Sequence, residues 1–210
     1  MTAPLNIVFD FGAVLVNWRP HDVVRKHFPE IATTPEAATQ LSSSFFAHPD
    51  WQAFDAGRVS AQDISKLTAN RLSMDVKAVQ HMVDAIEDHI TPIASSVQVL
   101  EKLHAEREAK GYKLYFLSNM PAVYARGLER HAFMRCFDGG IFSGDIGLIK
   151  PQPEIFQKLE SMYSLQGQKI LFIDDHPANI AAAQKAAWQT LHLTDPAQLP
   201  SLLSAQLPSH

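Results

Sequence analysis

The sequence predicts a doubly wound α/β fold, a parallel sheet with helices on both faces, carrying a small all-helical domain inserted after its first strand. Three observations predict it. Short apolar runs rich in β-branched and aromatic residues read as strands buried on both faces: Ile7-Val8-Phe9, Lys113-Leu114-Tyr115-Phe116-Leu117, Gly140-Ile141-Phe142-Ser143 and Lys169-Ile170-Leu171-Phe172-Ile173. Single helical segments separate the later strands, and such crossovers imply parallel pairing with right-handed connections. Between Trp18 and Asp88 the strand pattern is missing and only helical periodicity remains. The expected division is a core of residues 1–16 and 90–210 and a cap of residues 17–89.

Each element has a local reason. Ile7 to Phe9 deliver Asp10 to the end of a buried strand, and Phe11-Gly12 turns the chain there; a lone Asp in such a run belongs at the carboxyl edge or is left unpaired. In the insert, Pro20 opens a helix over His21–Phe28, and Thr34-Pro35-Glu36 caps another that runs to Phe46. Ser60-Ala61-Gln62-Asp63 has capping-box form ahead of Ile64, Leu67 and Leu72, and Val76, Val79, Met82, Val83 and Ile86 recur at helical spacing. The aromatics Phe45, Phe46, Trp51 and Phe54 are read as core rather than ligand surface. Beyond Thr91-Pro92, a helix from Ser96 ends at Gly111, where glycine accepts the left-handed conformation. Further helices are expected over Pro121–Arg130, Pro153–Tyr163 and Ala178–Ala187, with Gly144–Gly147 as a loop. Thr190–Leu193 closes the sheet, and a short helix is expected near Leu202.

Composition bounds the function. With 210 residues and 46% hydrophobic content the chain can bury a substantial core, and a net charge of −4 gives no electrostatic case for nucleic acid or anionic membrane as a partner. The single cysteine, Cys136, excludes an internal disulfide and suits a reducing compartment; beside Phe133 and Phe137 it reads as a small apolar residue. The first apolar stretch is short, broken by Asp10 and not preceded by basic residues, so neither a signal peptide nor a membrane span is expected, and the expected location is cytoplasmic. Oligomeric state is open.

The chemistry gathers where strands stop. Asp10, Ser118, Lys150 and the pair Asp174-Asp175 each follow a strand or the loop beyond one, so parallel pairing brings them to one edge of the sheet. Three adjacent carboxylates repel one another unless a divalent cation neutralises them, and oxygen-only ligands suit magnesium. Lys150 supplies the positive charge expected to keep Asp10 ionised and to steady a transferring group, while Ser118 and the backbone after it donate hydrogen bonds. Each also has a plain reading: a loop lysine, a strand-end cap, a helix N-cap. Together they favour a site.

These residues, in this order, resemble the haloacid dehalogenase superfamily over almost the whole chain. Four motifs carry the resemblance: Phe9-Asp10-Phe11-Gly12-Ala13-Val14-Leu15, Leu117-Ser118-Asn119, Lys150-Pro151-Gln152-Pro153-Glu154-Ile155-Phe156 and Phe172-Ile173-Asp174-Asp175-His176-Pro177-Ala178-Asn179-Ile180. The third and fourth are the most specific. The resemblance implies a Rossmann-like core, a magnesium-dependent phosphatase and an aspartyl-phosphate formed on Asp10, with sugar-1-phosphate phosphatases the nearest subgroup and a small phosphorylated metabolite as substrate. It implies Asp10, Ser118 and Lys150 as catalytic, Asp10, Asp174, Asp175 and the Gly12 carbonyl as magnesium ligands, and Asn119, Gly12 and Trp18 as substrate contacts. Arg19, His48 and Trp51 are further possible contacts, or braces of the cap.

One departure stands out. The family's phosphatases carry a second Asp two residues after the nucleophile as general acid and base, and here that position is Gly12. His176 and His21 are the substitutes considered. The same glycine keeps two alternatives open: a metal-independent 2-haloacid dehalogenase using Asp10 on carbon, and a binding protein that retains the fold without turnover. The intact Asp174-Asp175 pair argues against the former.

Overall fold

The computed structural model describes residues 5–207; residues 1–4 and 208–210, at the ends of the expected core, lie outside them. In chain order the elements are β1 (Leu5–Phe9), α1 (Pro20–His27), α2 (Pro35–Phe46), α3 (Pro49–Asp55), α4 (Ala61–Leu72), α5 (Val76–His89), α6 (Ala94–Lys110), β2 (Tyr112–Ser118) and α7 (Ala122–Leu128). They continue as β3 (Gly139–Phe142), α8 (Ser143–Ile146), α9 (Pro153–Tyr163), β4 (Lys169–Asp174), α10 (Pro177–Lys185), β5 (Gln189–His192) and α11 (Leu199–Gln206). The strands form one parallel sheet in the order β3-β2-β1-β4-β5, the doubly wound arrangement.

Alternation along each strand decides what the two faces bury. Ile7 and Phe9 join Leu114, Phe116, Leu171 and Ile173 on one face, in a cluster that runs on into the helical insert. Val8 faces the other way, with Tyr115, Leu117, Ile170 and Phe172, under α9 and α10. Ile7, Val8 and Phe9 are fully buried, each contributing about 1.5–3 kcal/mol of transfer free energy. That anchors the strand which carries Asp10.

The insert leaves and rejoins the core at neighbouring points. Asn17 donates its backbone N–H to the Thr91 carbonyl at 2.8 Å, and Ile93 donates to that of Leu15 at 2.8 Å. Its helices start where the sequence provides caps: Thr34 accepts from the Ala37 N–H, and Ser60 accepts from that of Asp63 while donating to the Asp63 carboxylate. Two elements differ from the sequence expectation. Pro49–Asp55 forms its own helix, capped by the His48 ring, because Pro49 ends one helix and opens the next. Gly144–Gly147, expected as a loop, lies largely within the short helix α8, with the left-handed turn confined to Gly147. Among the described residues no helix is long and apolar enough to cross a membrane.

Candidate active site

The register of the sheet assembles the floor of the site. Phe9 is level with Phe116 on one side and Ile173 on the other, so Asp10 is level with Asp174 at the carboxyl edge; the Asp10 N–H donates to the Ile173 carbonyl at 2.9 Å. Carboxylate oxygens of Asp10, Asp174 and Asp175 all lie within 4.8 Å of one another. Lys150 reaches this cluster from the loop before α9, with Nζ 2.9 Å from Asp10 and 2.7 Å from Asp174. It is buried, and Asn119 holds its backbone at both ends: the amide donates to the Lys150 carbonyl at 2.8 Å and accepts from its N–H at 2.7 Å. Asn119, expected as a substrate contact, thus turns its amide to Lys150 and bridges the second and third motifs.

Asp174 and Asp175 are not equivalent. Asp174 is fully buried, with one oxygen accepting from the His176 N–H and the Asn179 amide and the other from Lys150 and the same amide. Asp175 lines the open cavity. Asn179, one turn into α10, had no role assigned from sequence; its position five residues after Asp174 is the signal that could have indicated one.

Burial dominates the electrostatics. It pushes the Asp10 carboxyl up to about 7; Lys150 opposes the rise, and Asp174 and Asp175 add to it. Lys150, expected to keep Asp10 ionised, acts in that direction against a larger desolvation by burial. Burial also acts to lower Lys150, but its two carboxylate partners together outweigh that and hold it above the usual lysine range. Asp175 is raised by burial first and by Asp174 second. Three carboxylates against one lysine, two of them buried and Asp175 half-buried, is a donor set that fits a divalent cation. Gly12 lines the same cavity, and its carbonyl accepts no hydrogen bond among the described residues.

The turn after Asp10 places its left-handed residue at Ala13, φ 54°, and not at Gly12. A Cβ on Gly12 would meet the Trp18 side chain at an ordinary 3.7 Å, so backbone geometry does not require glycine there. Ser118 lines the cavity with its hydroxyl unengaged among the described residues.

Above the floor is a cavity of about 400 Å³ walled by Val16, Trp18, Phe46, Trp51, Ile90 and Tyr124. Its roof is a succession of edge-to-face rings, Trp18–Phe46 at 5.2 Å, Phe46–Trp51 at 4.7 Å, Trp51–Phe54 at 5.3 Å and Phe54–Tyr124 at 5.7 Å. The reading of these aromatics as core holds for Phe45, Trp51 and Phe54, which are buried; Phe46 and Trp51 also face the cavity. Arg19 and His48 line neither this cavity nor its neighbour: Arg19 is exposed ahead of α1, and His48 caps α3 with Nδ1, which accepts the Asp50 N–H at 3.2 Å. A second, more polar branch of about 490 Å³ is lined by His21, Ser42, Ser43, Gln52 and Gln152. Asp55, at the end of α3, lines both branches and was not singled out by the sequence.

This fold, with its acidic floor at the carboxyl edge of the sheet, is that of a hydrolase. Residues 6–187 match the haloacid dehalogenase-like hydrolase family, and the chain belongs to it. It is 24% identical over 189 residues to a sesquiterpene phosphatase of Aspergillus oryzae, covering 90% of this chain and 89% of that protein. Among the solved structures that share the fold are two enzymes. One is a family enzyme of Bacteroides thetaiotaomicron in complex with magnesium and inorganic phosphate (TM-score 0.68, 19% identity, 90% of this chain and 94% of that one). The other is the L-2-haloacid dehalogenase of Xanthobacter autotrophicus with chloropropionic acid covalently bound (TM-score 0.62, 17% identity, 97% and 84%).

Proposed function

We propose that the chain is a magnesium-dependent phosphatase acting on a phosphate monoester of a small, largely apolar alcohol. The observation that carries this is the floor: three carboxylates within 4.8 Å of one another, with a single buried lysine among them. Asp10, Asp175 and the Gly12 carbonyl would hold magnesium, with Asp174 behind them fixing Lys150. The bound metal would neutralise the acidic cluster and the phosphoryl oxygens. Asp10 then attacks phosphorus, Lys150 and Ser118 stabilise the charge that develops on the phosphoryl oxygens, and water hydrolyses the aspartyl-phosphate. The division into a core and a cap of residues 17–89 belongs to this reading, with the cap as the wall that shields the site from bulk solvent.

The wall favours an apolar organic group over the sugar that the sequence suggested. Trp18, Phe46, Trp51 and Ile90 offer a sugar few hydroxyl partners, whereas they suit a prenyl or aryl group, and the relative named as a sesquiterpene phosphatase supports that choice. The dehalogenase alternative draws on Gly12 and on the shared fold. The acidic cluster weighs against it, since it would repel a haloacid. The test is release of inorganic phosphate from 4-nitrophenyl phosphate and farnesyl monophosphate, with magnesium and after chelation. Phosphate release that stops on chelation and returns with magnesium is expected. Undiminished release without metal, or halide release from 2-chloropropionate instead, overturns the reading.

A further inference from the structure

We propose that Asp55, on the insert, is a catalytic residue: the proton donor to the leaving oxygen and then the base for the hydrolytic water. The proposal rests on the phosphatase reading. An alkyl phosphate releases an alkoxide unless a proton arrives with bond cleavage, and that help is worth roughly a hundred- to ten-thousand-fold. The floor holds no group free to give it.

Asp10 is the nucleophile, Lys150 is held between two carboxylates, and Asp175 faces the cation position. The Tyr124 hydroxyl donates to the Val83 carbonyl at 2.8 Å, and burial pushes it far above the tyrosine range. His176, considered from sequence, caps α10 with Nδ1, which accepts the Ala178 N–H at 3.2 Å. Adding the second proton that would make it an acid displaces that cap. His21 is exposed on α1 and touches only the polar branch. Asp55 remains, and it lines both branches together with Lys150, Asn119 and His176.

Asp55 is also held in place. Its carbonyl accepts the Ser143 hydroxyl at 2.6 Å, and the same hydroxyl oxygen accepts the Met120 N–H at 2.8 Å, which ties the end of α3 to the loop after Ser118. Two residues on, Gly57 (φ 68°) packs its backbone so tightly on Gly144 that a Cβ would lie 2.3 Å from that carbonyl oxygen. Arg58 Nη2 then donates to the Gly147 carbonyl at 2.6 Å. An insert residue is thereby fixed to the core, as a proton donor must be. Burial raises its carboxyl to about 8, against an opposing hydrogen bond from the Trp51 side chain, so it carries a proton at neutral pH.

The two steps balance. Asp10 forms its bond to phosphorus as the phosphorus–oxygen bond to the alcohol breaks, and the Asp55 proton passes to the departing oxygen. Water then attacks phosphorus, the Asp10 bond breaks, and Asp55 takes the proton of that water, ready for the next cycle.

The experiment compares 4-nitrophenyl phosphate with an alkyl phosphate, with magnesium, in the wild type, in Asp55→Asn and in Gly12→Asp/Asp55→Asn. Melting temperature and tryptophan fluorescence serve as folding controls. Asp55→Asn is expected to lose about a hundredfold or more on the alkyl ester and less than tenfold on the aryl ester, whose leaving oxygen needs little help. The wild-type alkyl rate should fall as pH rises through about 8, and that limb should vanish in Asp55→Asn. Asp10, Asp175, Lys150, Tyr124, His176 and His21 face the same space and remain in both proteins, so loss of the limb assigns it to Asp55. The double variant should recover alkyl turnover, because position 12 admits a side chain. Wild-type alkyl rates and an unchanged limb in a folded Asp55→Asn would overturn the proposal while leaving the phosphatase reading standing. No phosphate release by the wild type overturns both.

Discussion

The floor and the roof of the cavity are built on opposite principles. In the floor, charged groups are fixed through specific partners: Asp174 accepts from three residues, and Asn119 grips both ends of the Lys150 peptide. In the roof, five rings meet edge to face from Trp18 to Tyr124. The difference teaches a division of labour. A polar network has one satisfied arrangement and so fixes the reaction, whereas an apolar wall sets the size and polarity of what enters and tolerates repacking.

The sharpest way to break the comparison is at the nucleophile. Asp10→Asn should reduce turnover by about 10⁴-fold or more while still accepting the Lys150 hydrogen bond, so the melting temperature should move little. An active, folded variant would remove Asp10 from the mechanism. Lys150→Ala should damage the floor twice over. It removes charge stabilisation worth about a hundred- to a thousandfold in rate, and it leaves two buried carboxylates unpaired, a loss of about 3–5 kcal/mol in metal-free protein. Magnesium should restore much of the stability and little of the rate, as read by chemical denaturation and by kinetics.

The roof should answer differently. Phe46→Ala, at a half-buried position, should raise KM for farnesyl monophosphate by about tenfold, from lost apolar contact, with a much smaller change for methyl phosphate. A matching fall in kcat for both substrates would mean that the roof takes part in the chemistry. The smallest effect lies at the outer edge of the insert, where the rings of His27, His81 and His89 meet at centroid distances of 5.6 Å from His27. Burial lowers His27, helped by His89 and His81, and burial followed by Lys26 lowers His89. A depressed histidine contributes stability that is complete above its unfolded value of about 6.5 and is lost as pH falls from there towards the folded value. Melting temperature should therefore decline below about pH 6.5, and less steeply in His27→Asn.

Much of the floor was legible in the sequence because each of its members follows a strand, and strands announce themselves as β-branched runs such as Lys169–Ile173. The bond between Asn119 and the Lys150 backbone was not legible, since 31 positions separate them and no local pattern couples them. Asp55 was hidden for a related reason. Nothing in Phe54-Asp55-Ala56-Gly57 marks a site, and the docking of Gly57 on Gly144 is what seats Asp55 at the cavity. Gly12 invited the opposite error: glycine suggests a strained turn, yet the left-handed residue is its neighbour Ala13.

The central place of β1 in the sheet has a consequence for how the chain is made. The strand bearing Asp10 is made before its partners, which begin at Tyr112 and Lys169, so it has no sheet to join until about half the chain has followed. The helices between them rely on local contacts and close early, whereas β1 must wait for pairings across long loops. The apolar run Leu5–Phe9 is therefore open to misassociation during synthesis, and Asp10 takes its position only once β1 has paired with β2 and β4.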